Sequence, residues 1–280
     1  MTAYTVQMPT SESLVRRHPV LSFFALTFSI SWAAALCLAM PSLLRGEAIP
    51  KFTGLTMFPL MILGPSVTGL LLTRVVDGRR GQRELFSAMG RGFAARWYAA
   101  LLIPPAAILT VLFTMEAVVS PVYRPNVFAA GILFGVPAGL LEEIGWMGYA
   151  FPKMSAKWGA LAASVLLGLL WGLWHVPAMD FLGTSTPHGS YWLAYSLAFT
   201  AAMTPMRVVI AWMFVNTRSV LLAQLMHASS TGFLVMLSPA GVTAGQEVLW
   251  YFVYAGLLWL VVGGIVLRSG TGLMRENGAV

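Results

Sequence analysis

Long apolar stretches recur along this chain and leave it little choice of solvent. Eight of them approach the ~20 residues that a helix needs to cross a hydrocarbon core. They lie near 20–40, 54–75, 97–119, 127–147, 158–179, 191–215, 218–237 and 248–267. In lipid the backbone must satisfy its own hydrogen bonds, so each block is expected to be helical. Composition agrees: of 280 residues, 58% are hydrophobic and 10% charged, against about 25% charged in a soluble domain. The expected fold is all-α, a polytopic membrane helical bundle of about eight transmembrane helices. One bundle is expected over 20–268, with a polar segment at 1–19 and a tail at 269–280. No internal repeat or linker stands out. Pro104-Pro105 should bend or delay the third helix, and Pro177 should do the same at the end of the fifth.

The net charge of +7 does not point to nucleic acid, because the basic residues gather in short loops between apolar blocks. One side receives Arg16 and Arg17, then Arg74, Arg79, Arg80, Arg83, Arg91 and Arg96, then Lys153, Lys157, Arg218, Arg268 and Arg275. The other receives Arg45, Lys51 and Arg124. The positive-inside rule then predicts a multi-pass protein of the cell (plasma) membrane with both termini cytoplasmic. Leu85, Phe86, Met89 and Phe93 give the second inter-helix segment an amphipathic pattern suited to a membrane surface. Arg16-Arg17 before the first block imitates a signal peptide. That block has spanning length and no small-residue cleavage site, so it is expected to be retained. A single cysteine, Cys37, excludes an intrachain disulfide and a cysteine-based zinc site.

Few ionisable residues fall within the blocks: Glu142, Glu143, His175, Arg207 and His227, with Glu116 near an end. A charge at bilayer depth costs roughly 2.5–3.5 kcal/mol on insertion scales and normally has a partner or a function. Glu142 and Glu143 are adjacent on one helix and project about 100° apart. One can face a cavity while the other is held by a structural partner. Trp171 shares a face with His175, as do Gln224 and Thr231 with His227. A carboxylate base with two imidazoles suits water-dependent peptide cleavage. The bland readings are an interhelical hydrogen bond for each His, a bound cation at the Glu pair, and packing or interfacial roles for Met147 and the Trp residues. The spans also present a conflict. With straight helices, Glu142 lies near one membrane face and His175 near the other. They meet only if helix four or helix five starts late, or if helix five tilts.

At these residues the chain resembles the CPBP family, the CAAX proteases and bacteriocin-processing (Abi) intramembrane endopeptidases. The family pattern is E-E-x-x-x-R, then F-x-x-x-H, then H-x-x-x-N or D. This chain has Glu142-Glu143 followed by Met147, then Trp171 and His175, then His227 and Thr231, within about 127–237. The resemblance implies a conical bundle whose cavity opens to the cytoplasm. It implies Glu142 as the base that activates water, His175 as a holder of that water, and Glu143 as the group that orients the site. His227 with Thr231 would stabilise the oxyanion. A peptide or protein substrate is implied, open to a lipidated C-terminus. Zinc on Glu142, His175 and His227 and a metal-free water are both compatible with these residues. The reading leans to no tightly bound metal.

Three positions depart from the pattern. Met147 replaces the motif Arg, and Arg207 is the candidate to supply the missing cation from helix six. Trp171 replaces Phe, and Thr231 replaces Asn or Asp with a shorter donor. The alternatives are a non-proteolytic relative serving bacteriocin self-immunity or partner binding, and a cation-coupled transporter. Transport would favour paired half-helices or repeats.

Overall fold

The computed structural model describes residues 14–274, and the expectations for 1–13 and 275–280 lie outside the described residues. Seven helices are long and apolar enough to cross a membrane. With one shorter apolar helix they are α1 (Pro19–Leu44), α2 (Lys51–Met89), α3 (Arg96–Val118), α4 (Ala129–Trp158), α5 (Ala160–Trp174), α6 (Gly189–Thr217), α7 (Val220–Leu237) and α8 (Ala244–Ser269). No strand occurs among the described residues. The bundle is polytopic and all-α, as the apolar blocks require.

Two of the expected boundaries that prove wrong matter for the site. The fourth helix does not end near 147 but runs to Trp158, so Lys153 and Lys157 ride on helix rather than in a loop. Pro152 lacks an N–H and its ring crowds the carbonyl a turn earlier. The chain widens into a π-helical turn at Trp146–Ala150 and passes Pro152 in the first turn of the continuing helix. Gly159, at φ +77°, makes the reversal. The fifth helix is not 158–179 but stops at Trp174. Its 15 residues span about 22 Å, short of the ~30 Å hydrocarbon core. Val176-Pro177 begin a 3-10 stretch, Val176–Phe181. This is the helix-ending effect expected of Pro177, acting two residues earlier.

Other sequence signals act as expected. Pro104 and Pro105 occupy the first turn of Ile103–Val118, after a break that separates it from Arg96–Ala100. The second helix continues past its expected end through a π-helical turn, Thr73–Asp77, into the amphipathic Gly78–Met89. That segment buries Leu85 against Gly148 of α4. The helix directions gather Arg91, Lys153, Lys157, Arg218 and Arg268 at one end of the bundle, called here the basic end. A contact there ties loop to turn: the Ser219 hydroxyl donates to the Arg91 carbonyl at 2.7 Å.

The tightest packing joins α4 to α7. A Cβ at Gly139 would press on the Gln224 carbonyl oxygen and lie 2.7 Å from the Ala228 nitrogen. Gly135 meets Ala228 and Gly232 in the same way. Small residues spaced four apart let two backbones touch where lipid offers no hydrophobic drive. The Gln224 side chain then donates to the Leu140 carbonyl at 2.6 Å, and Ser66 of α2 to the Leu141 carbonyl at 2.7 Å. These bonds fix the turn that carries the two glutamates.

Candidate active site

The depth conflict disappears with the corrected helices. Glu142 stands 16 residues before Trp158, and His175 stands 15 residues after Ala160. Measured from the shared Gly159 reversal, both lie about 24 Å along antiparallel helices. Neither helix starts late to any useful extent; the fourth ends late. The end of α5 is also anchored from α1, where Trp32 Nε1 donates to the Trp174 carbonyl at 3.0 Å.

The two carboxylates have separate environments. Glu142 Oε2 accepts from Trp146 Nε1 at 3.0 Å and from Trp171 Nε1 at 2.9 Å. Its other oxygen makes no protein hydrogen bond among the described residues. Glu143 Oε1 accepts from Arg207 Nη1 at 2.6 Å and lies 2.7 Å from His227 Nδ1. Glu143 and Arg207 are both 0% exposed. Arg207 from α6 therefore meets the glutamate that the motif Arg at position 147 would otherwise serve. Met147 in turn is buried as an apolar side chain.

Trp171 touches every part of this cluster. Its N–H holds Glu142, and its ring face carries the Arg207 guanidinium 4.1 Å from the centroid. The ring also packs edge-on against His227 and His175, with centroids 5.1 and 5.4 Å away. Such a cation over an indole face is stabilised by the ring quadrupole, more so when desolvated. Arg207 Nε and Nη2 have no hydrogen-bond partner among the described residues, so the ring face supplies much of their compensation. The sequence reading of Trp146 and Trp171 as packing residues is corrected here: both are hydrogen-bond donors to a buried carboxylate. The spacing held a signal, because Trp146 lies four residues after Glu142 and Trp171 four before His175.

Proton positions follow from the partners. His175 Nδ1 lies 2.7 Å from the Trp171 carbonyl oxygen. A carbonyl only accepts, so Nδ1 donates and Nε2 of the neutral ring is left as an acceptor. His227 Nδ1 likewise donates to the Glu143 carboxylate, leaving Nε2 to act elsewhere. Aromatic rings wall the His175 side, with Trp174 at 4.8 Å and Phe199 at 5.0 Å between centroids. Thr231 lies one turn beyond His227, half-buried, and its hydroxyl has no hydrogen-bond partner among the described residues.

No three His, Cys, Asp or Glu side chains among the described residues stand close enough to hold a metal ion. Glu142 Oε1, His175 Nε2 and His227 Nε2 make no protein hydrogen bond among the described residues, so these three atoms are the ones open to a water or a metal. A third buried carboxylate, away from the glutamate pair, escaped the sequence reading. Glu247, at the end of the bundle away from the basic residues, accepts from the Thr184 and Ser185 amides, each at 2.8 Å. It fell one residue outside the expected eighth span, with only apolar neighbours after it to suggest burial.

Comparison with known proteins covers this same region. Residues 123–233 match a family described as type II CAAX prenyl endopeptidase Rce1-like. Over 135 residues the chain is 33% identical to CAAX prenyl protease 2 of Methanococcus maripaludis, an alignment covering 46% of each chain. The match thus spans about half the length of that relative. Residues 123–233, which carry all three motifs on α4, α5 and α7, are similar to Rce1-like CAAX prenyl endopeptidases.

Proposed function

We propose that the protein is an intramembrane endopeptidase that hydrolyses a peptide bond near the C-terminus of a CAAX-type substrate. The observation that carries this reading is the division of labour between the glutamates. Glu142 accepts only from neutral indole N–H groups and keeps an unbonded oxygen, while Glu143 is held through Oε1 by the Arg207 guanidinium and His227, with its Oε2 fully buried. A water bridging Glu142 and His175 Nε2 would donate one hydrogen to each, since both are acceptors, and would turn a lone pair to the substrate carbonyl carbon. Glu142 takes a water proton as the carbon–oxygen bond forms. His227, protonated at Nε2, donates to the oxyanion, with Thr231 as a second donor. With that proton the buried cluster holds two carboxylates, one guanidinium and one imidazolium, and its net charge is zero. The proton on Glu142 then passes to the amide nitrogen as the carbon–nitrogen bond breaks.

The basic end would face the cytoplasm of the cell membrane, by the positive-inside rule. The substrate is then a protein tail reaching the membrane from that side, and a lipid on the cysteine would seat in the bilayer beside the bundle.

Mass analysis of a prenylated and an unprenylated CAAX peptide after incubation with the purified protein tests this. Release of the three residues after the cysteine, unaffected by chelator, is the expected product. Loss of release with chelator, regained with zinc, would overturn the metal-free mechanism. The absence of release from either peptide would overturn the substrate class. Trp171→Phe keeps the ring but deletes a donor to Glu142. Cleavage is expected to fall about tenfold or more, the usual worth of a hydrogen bond to a charged group. The thermal midpoint should fall as well, because the smaller ring leaves a void at a buried site and a smaller face under Arg207; retained cleavage would show that the indole N–H is not needed.

A further inference from the structure

At the basic end a cavity of about 610 Å3 lies between α2, α4 and the α6–α7 turn. Gly148 and Tyr149 of α4, Phe214 of α6 and Val220 of α7 all line it. These positions continue the stripes that build the active site. Phe214 stands seven residues after Arg207, Val220 seven before His227, and Gly148 six after Glu142. Residues seven apart share a helix face, so the α6 and α7 walls of the cavity lie on the faces that carry Arg207 and His227, while Gly148 lies within the π-helical turn that follows the glutamates on α4.

Its polar lining is unevenly matched. Arg80 Nε is paired with Glu84 at 2.8 Å and Lys153 Nζ with Asp77 at 2.7 Å. Arg91 and Arg218 also line the cavity, and neither makes an ion pair among the described residues. Tyr149 is 1% exposed and its hydroxyl has no hydrogen-bond partner among the described residues. The 18-residue α7 begins at Val220, so the positive end of its dipole opens on the same space. Two unmatched guanidiniums, a helix N-terminus and an unpartnered buried hydroxyl form an anion site.

The spacing identifies the anion. Gly148 to Pro152 lie about 9–15 Å along α4 from Glu142. Three extended residues reach about 10 Å. We infer that this cavity is a subsite for the free C-terminal carboxylate of the peptide, held by Arg91 and Arg218, and this rests on the peptidase reading above. The carboxylate would then set the register, so that the bond three residues inward meets the water on Glu142.

The test uses one fluorescent CAAX peptide made with a free carboxylate and with a C-terminal amide. Both are bound to full-length Glu142→Gln protein and offered to the parent for cleavage. The acid is expected to bind about tenfold or more tightly, the worth of charge-assisted hydrogen bonds. Arg218→Asn should erase most of that preference and leave amide binding unchanged; Asn tolerates the left-handed backbone at this residue, φ 53°. Arg91→Gln, on a different segment, should do the same. Equal binding of acid and amide would overturn the subsite, as would equal losses for both peptides in the variants. Cleavage without acid preference overturns the subsite alone. Acid preference without cleavage by the parent overturns the peptidase reading and leaves a carboxylate-binding site.

Discussion

Arg207→Met is expected to cost about 3–5 kcal/mol, the usual penalty for stranding one member of a buried ion pair. Glu143 would keep its His227 contact but lose the guanidinium 2.6 Å away. It would then either hold an uncompensated charge or take up a proton and release His227. Either result disorders the groups around Glu142, so cleavage should be lost along with stability. The decisive partner is Met147→Arg, which restores a cation four residues after Glu143, where the family pattern has it. Made alone, that change puts a second buried cation beside the first and should destabilise. Made in the Arg207→Met background, it should recover much of the lost thermal midpoint in detergent. A double-mutant cycle therefore predicts opposite signs for one substitution in two backgrounds. If Arg207→Met left midpoint and turnover unchanged, Arg207 would not be what holds Glu143.

Gly139→Leu should be nearly as damaging by a different route. The added side chain would meet the α7 backbone at Gln224 and Ala228 rather than a flexible side-chain tip. The helices must separate, and α7 carries His227 away from Glu143. Overpacking of this kind costs about 1–3 kcal/mol, and a 1 Å misplacement of catalytic groups can cost about 10²-fold in rate. Activity is expected to fall far more than stability. Gly256→Leu on α8 is the control, because a Cβ there meets nothing within 4 Å. It should change the midpoint by less than about 0.5 kcal/mol. Equal behaviour of the two variants would mean that the close approach of α4 and α7 does not position the site.

The fold class was legible because apolar length is a strong signal and lipid permits few backbone solutions. Membrane depth was not, because it depended on where two helices ended. The fourth apolar block ends near 147, yet the π-helical turn at Trp146–Ala150 lets α4 continue past Pro152 to Trp158. Pro177 reads as a helix end, and the end fell at Trp174, before the proline itself. Together those shifts bring Glu142 and His175 to one level. Arg207 was legible because charges within the apolar blocks are so scarce that an unmatched cation and an unmatched glutamate invite pairing. The indole donors of Trp146 and Trp171 were hidden, since a tryptophan in a membrane helix is usually packing and only the partner helix reveals its N–H at work. The Glu247 loop anchor was hidden for a related reason: its shortest bonds come from the Thr184 and Ser185 backbone amides, which no residue pattern marks.

The most direct test is single-turnover cleavage of a CAAX peptide by the parent and by Glu142→Gln, with the thermal midpoint of each measured in the same detergent. The amide oxygen can still accept from both indoles, so the fold should survive. Without a base, the rate should fall by about 10²–10⁴-fold. A Glu142→Gln protein that is fully folded and cuts the peptide at the parent's rate would contradict the account, because the base assigned to the water proton would then be dispensable.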